Sequence, residues 1–153
     1  MTRTPPGMSR TPPGTVLQNG RAKAYRPLPA ATRRQAFEAA LAAYERGDFF
    51  ETHELLEPAW MGTDDPAERN LHQGLIKLAA AFVHGVRGNP RGIERNLVGA
   101  RERLAQATGT AAAQTSGLDL AALVAAIDDR LARLAADPDD ASIEAPALPR
   151  SIP

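Results

Sequence analysis

Hydrophobic positions recur at three- and four-residue spacing through the middle of this 153-residue chain. Phe37, Ala40, Leu41 and Tyr44 form the first stripe, which predicts a helix over about 31–46, with Gly47 placed to end it in a left-handed conformation. Asp48 opens a second helix. Paired with Glu51 it has capping-box spacing, one carboxylate accepting orphan amides while the other reaches back. After a break at 61–65, Pro66 sits where a first helical turn tolerates a missing N–H, and a third helix runs to about Arg87. Gly88 closes it, and Asn89-Pro90 supplies cap and first-turn proline for a fourth, striped by Ile93, Leu97, Ala100 and Leu104. Beyond a Gly-, Thr- and Ser-rich connection at 108–117, Leu120, Leu123, Ile127, Leu131 and Leu134 mark a fifth. Amphipathic helices joined by short loops predict an all-α fold, a compact antiparallel helical bundle of about five helices with disordered termini.

The ends lack such stripes. TRTPPG at 2–7 returns as SRTPPG at 9–14, a duplication that makes Met8 a competing start to Met1. Residues 1–29 read as a disordered proline-rich leader, because proline and polar residues bury too little to offset ordering entropy. From Asp137 on, four prolines and four acids suggest a loose tail over 137–153, which leaves 30–136 as the bundle domain.

Composition narrows the function classes. Hydrophobic residues make up 43% of the chain but aromatics only 5%, and alanine runs such as 121–122 and 125–126 favour helix over strand. The absence of cysteine excludes disulfides, thiolate metal sites and cysteine nucleophiles, and fits a cytoplasmic location. The longest apolar run, 78–83, is far below the roughly 20 residues of a membrane span, so no membrane partner is expected. Eighteen basic and eighteen acidic residues cancel, leaving no overall field to recruit nucleic acid. Every charge before Glu38 is basic, from Arg3 to Arg34, yet the spacing is sparse and only Tyr25 interleaves to stack on bases, which argues against a nucleic-acid arm.

The candidate chemistry lies in FFETHELLEPAW, residues 49–60. A turn of about 100° per residue puts Phe49, His53, Leu56 and Trp60 in one arc, with Glu57 about 40° from His53 and His53 aimed at the core. On the third helix Gln73, Lys77, Ala80 and His84 line up, whereas His72 shares a face with Leu75, Ile76, Ala79 and Val83. If the two helices pack as a hairpin, His53 and Glu57 meet Gln73 and His84.

Three chemistries compete. His53, Glu57 and His84 suit one divalent metal with a position left for water. A glutamate buried beside Trp60 suits acid–base exchange with His84. The same groups also suit a structural network, since an unpaired buried polar group costs about 1–3 kcal/mol. The zinc-protease reading fails because HELLE has glutamate where the second histidine belongs, and the di-iron reading lacks its second Glu-x-x-His. Pro58 removes the bond to the Glu54 carbonyl and predicts a kink or an early end at 54–58.

FFETHELLEPAW followed by HQGLIKLAAAFVHGVRGNPRG at 72–92 resembles the bacterial and plastid family catalogued as domain of unknown function 309. The likeness spans about 34–105 and rests on a histidine-glutamate pair, a glutamate, a tryptophan, Gln-Gly-Leu-Ile and a histidine before Gly-Asn. It implies a compact all-α bundle with His53, Glu54, Glu57, Trp60, Gln73, Gly74 and His84 at signature positions, and it implies no activity. Pro58 departs from the helix former usual there.

Together these readings describe a small bundle with a polar pocket between the second and third helices. His53, Glu57 and His84 are the candidate metal ligands, and Glu54, Trp60 and Gln73 are candidates to bind a small polar ligand. The rival expectation is a helical protein-interaction module whose buried polar network is purely structural. Either a small ligand or a protein is the partner, self-association into a homo-oligomer is compatible with both, and whether the chain is an enzyme stays open.

Overall fold

The computed structural model describes residues 13–86, 88–140 and 142–151, with only the backbone of His84, Gly85 and Val86. Its elements run β1 (Thr15–Gln18), β2 (Arg21–Ala24), α1 (Ala30–Glu45), α2 (Phe49–Met61), α3 (Pro66–Val86), α4 (Pro90–Ala107), α5 (Ala111–Ser116) and α6 (Leu120–Ala136). The five expected helices are present, and the short α5 lies in the connection at 108–117.

Local chemistry sets these boundaries. Asp48 accepts from the Glu51 amide at 3.2 Å, Asp65 from Glu68 at 2.9 Å, Asn89 from Gly92 at 3.2 Å, Thr110 from Ala113 at 3.3 Å and Asp119 from Ala122 at 3.0 Å, so five helices begin on a side-chain cap. Gly47, at φ 82°, makes the tight reversal between α1 and α2. α2 continues three residues past Pro58 to Met61. Both Pro58 and Glu54 are exposed, so water can serve the carbonyl that the proline leaves without a donor.

α3 is the central helix, packed against α2 and α4, with α1 on α2 and α6 on α4. Leu78, Ala81, Leu97, Leu104, Leu123 and Ile127 form the heart of the core. Gly74 explains itself here. A Cβ on Gly74 would lie 2.6 Å from Leu104 Cγ and 3.2 Å from the Leu104 backbone nitrogen, so α3 and α4 approach only because no side chain intervenes. Gly74→Ala should therefore lower stability by about 1–3 kcal/mol despite its gain in helix propensity, measured by chemical denaturation.

Among the described residues, parts of both ends carry structure that the sequence reading did not expect. Within the stretch read as a leader, β1 and β2 pair antiparallel with Val16 opposite Lys23 and Gln18 opposite Arg21. Asn19 (φ 53°) and Gly20 (φ 78°) form the two-residue turn, the Asn-Gly dipeptide best suited to a hairpin. After the hairpin, Arg26 and Leu28 donate backbone bonds to the Met61 and Gly62 carbonyls, tying the strand pair to the end of α2. The segment beyond Asp137, read as a loose tail, also packs: Ile143, Pro146 and Leu148 are buried, and the Tyr44 hydroxyl donates to the Pro146 carbonyl at 2.7 Å. Backbone bonds from Asp119 to Pro149 and from Ser151 to Gly117 fasten it further. Its prolines stiffen an apolar strap across the bundle. The duplication at 2–14, with the Met1 and Met8 starts, lies almost wholly outside the described residues. Among those residues, no helix is long and apolar enough to cross a membrane.

Candidate functional site

α2 buries Thr52, Leu56 and Ala59. Two of these are small, so the helix approaches its neighbours along their side, and the buried arc is rotated from the one the spacing suggested. His53 consequently stands at the margin with 35% of its side chain exposed, not in the core, beside the more open Glu54 and Glu57. His53 Nδ1 lies 3.4 Å from Glu54 Oε1 and 3.8 Å from Glu57 Oε2. One donor atom from each of the three falls within 4.8 Å of the others. Glu54, expected to contact a ligand, thus joins the expected metal ligands His53 and Glu57. The His84 side chain lies outside the described residues.

Trp60 and Gln73 belong to a different cluster, built around a residue that the sequence reading missed. Gln18 of the hairpin accepts from Trp60 Nε1 at 2.8 Å and donates to the Asn70 and Gln73 side-chain oxygens. The same Gln18 oxygen accepts from Arg69 Nε at 3.2 Å. Arg69 is fully buried, and its other nitrogens donate to the carbonyls of Trp60 (3.1 Å), Thr63 (2.9 Å) and Ala24 (3.3 Å). Its guanidinium sits 4.9 Å from the centre of the Trp60 ring. One side chain therefore joins the hairpin, the end of α2, the α2–α3 loop and the start of α3.

Among the described residues no carboxylate forms an ion pair with Arg69; carbonyl dipoles and an aromatic face support the charge. Burial pushes its pKa down from the usual arginine range, opposed by the nearby Asp64 carboxylate. The sequence held one signal for Arg69, its place four residues before Gln73 on the same helical face. Gln18 carried none while the hairpin was read as leader.

The paired geometry thus separates two chemistries. The α2 flank offers an imidazole and two carboxylates to solvent, whereas the Gln18–Trp60–Arg69–Gln73 cluster spends its polar atoms on one another. Comparison with protein families matches residues 37–96 to the family described as Domain of unknown function (DUF309). No curated protein and no solved structure matches the chain.

Proposed function

Since residues 37–96 carry the DUF309 domain, whose description names no activity, we propose that the chain binds a divalent transition-metal ion on the exposed flank of α2 through His53, Glu54 and Glu57. The observation that carries this is donor spacing. A tetrahedral ion with bonds of about 2.0–2.2 Å holds neighbouring ligand atoms about 3.4 Å apart, and the two histidine–carboxylate distances are 3.4 and 3.8 Å. Small rotamer adjustments of two exposed glutamates suffice to close the set, and a fourth position faces solvent. An imidazole with carboxylates favours zinc, cobalt or nickel over magnesium, whose hard octahedral preference calls for oxygen alone. Bound there, the ion would supply Lewis acidity to a water or a small ligand; the protein's own part is to hold three donors on a rigid helix.

Titration of tag-free protein with zinc chloride by calorimetry tests the reading. A saturable single site is expected, with His53→Ala and Glu57→Gln each weakening it at least about tenfold and excess magnesium failing to compete. Binding by His53→Ala equal to that of the parent would sink the assignment. All three side chains are at least one-third exposed, so these substitutions should leave stability within about 0.5 kcal/mol and keep the comparison clean.

The rival reading, a structural polar network, is favoured at Trp60 and Gln73. Their hydrogen bonds to Gln18 support assigning them to the hairpin clasp.

A further inference from the structure

Residues 142–151, SIEAPALPRS, cross the bundle outside every helix and strand. Ile143, Pro146 and Leu148 turn inward, while Ser142, Glu144, Ala147 and Arg150 face solvent. Pro146 and Pro149 fix their own φ angles and restrict the residue before each to an extended backbone, which lowers the ordering cost of docking.

The surface that receives this segment comes from three separate elements. From α1, the Tyr44 hydroxyl donates to the Pro146 carbonyl at 2.7 Å and Glu45 pairs with Arg150. From α6, Arg130 Nε donates to the Glu144 carbonyl at 3.1 Å, and Arg133 Nη1 donates to the Glu144 carboxylate at 2.9 Å. Between α5 and α6, the Asp119 amide donates to the Pro149 carbonyl at 2.9 Å, and the Gly117 carbonyl accepts from the Ser151 amide at the same distance.

These are the means by which a groove recognises an extended peptide: pockets for alternate side chains, main-chain bonds and matched charges. The pairs at Glu144 and Arg150 are exposed, so they set direction and register more than affinity. Burial of Ile143, Pro146 and Leu148 supplies the affinity. The heart of the core comes from α3, α4 and α6, without the strap. Every bond named above joins the strap to residues earlier in the chain. An equivalent segment from another molecule could therefore make the same set.

We propose that the surface between α1 and α6 is a peptide-recognition groove, and that the strap is its resident, displaceable ligand. The partner it fits is an extended segment of another protein, with an acid, a proline, an apolar residue and a base at the spacing of Glu144, Pro146, Leu148 and Arg150. The groove shares no residue with the α2 triad and stands or falls independently of metal binding.

Two measurements on the full chain test this. In native-state hydrogen exchange on the parent protein, the Asp119 and Ser151 amides should show matching protection and exchange faster than core amides such as those of Leu78 and Leu97, because the strap lifts as one unit. The second titrates fluorescently labelled SIEAPALPRS peptide into Ile143→Ser/Leu148→Ser protein, whose own strap seats poorly, and reads anisotropy. Saturable binding is expected, with the parent protein at least about tenfold weaker because its tethered strap competes. A peptide carrying Leu148→Asp should bind at least about tenfold more weakly than the unaltered one, and Tyr44→Phe in the receptor should weaken both. Exchange of Asp119 and Ser151 only together with the core would overturn the proposal. So would a double variant that fails to fold, since a displaceable ligand is not needed for folding, or one that folds and leaves the peptide free or binds both peptides alike.

Discussion

Arg69→Ala is expected to destabilise the protein by about 3–5 kcal/mol, the range seen when one partner of a buried charged network is removed. The truncation leaves the carbonyls of Trp60, Thr63 and Ala24 and one lone pair of Gln18 without their donor. It also opens a void beneath the Trp60 ring. Arg69→Lys should recover little. A lysine offers three donors from a single point and cannot serve four acceptors placed around a planar fork. Gln18→Ala removes only the hairpin's side-chain link and should cost about 1–3 kcal/mol, with faster amide exchange confined to 15–24. Urea denaturation followed by fluorescence of Trp60, the only tryptophan, reads all three variants. A loss below about 1 kcal/mol for Arg69→Ala would show that the clasp contributes little.

Acidification from pH 7 to 4 should remove about 3 kcal/mol of stability through His72 alone. Burial lowers its pKa from 6.5 to about 4; Glu68 and the Ala59 bond work against this, while Arg33 and Arg69 reinforce it. Above pH 6.5 both folded and unfolded states hold a neutral ring, and stability is flat in this respect. Between 6.5 and 4 the unfolded chain takes the proton while the folded one refuses it, so the folded state loses ground by about 1.4 kcal/mol per pH unit. Below 4 the slope from this group vanishes. Glu68 acts in the same direction at the acid end. Burial raises its pKa, but bonds from Arg33 and Thr63 outweigh that and hold it below 4.5, so its contribution is lost as pH falls through that lower value. Denaturation midpoints at half-unit pH steps should give a curve that flattens between 6.5 and 4 in His72→Phe and keeps only the lower, Glu68 portion.

The helices were legible because their signals are local. The stripe Phe37, Ala40, Leu41 and Tyr44 is buried as spaced, and Asp48, Pro66 and Asn89-Pro90 mark helix starts within a residue. His72 was likewise legible, since the face it shares with Leu75 and Ala79 is an interior one. The hairpin was lost to composition. Its Asn-Gly turn is a strong short-range signal, but it sits among prolines and charges that resemble a leader, and its strands are held by contacts some 50 residues away in sequence. The closing strap at 143–150 fails to read from sequence for a related reason: Tyr44 and Pro146 are paired only by the fold.

Within the candidate site, the closeness of His53 to Glu57 follows from one helical turn, whereas its exposure does not. Which arc of α2 faces inward depends on the small Thr52 and Ala59 and on what packs against them, a tertiary fact. Pro58 shows the same limit. The rule against proline inside helices bites hardest where the freed carbonyl is buried, whereas here Pro58 and Glu54 are exposed and only three helical residues follow.

The most direct test of metal binding on α2 is diffraction from crystals grown with zinc, recorded on both sides of the zinc absorption edge. One anomalous peak is expected, bonded to a His53 ring nitrogen and to carboxylate oxygens of Glu54 and Glu57 at about 2.0–2.2 Å. A zinc-saturated crystal with no peak at those three side chains would contradict metal binding there.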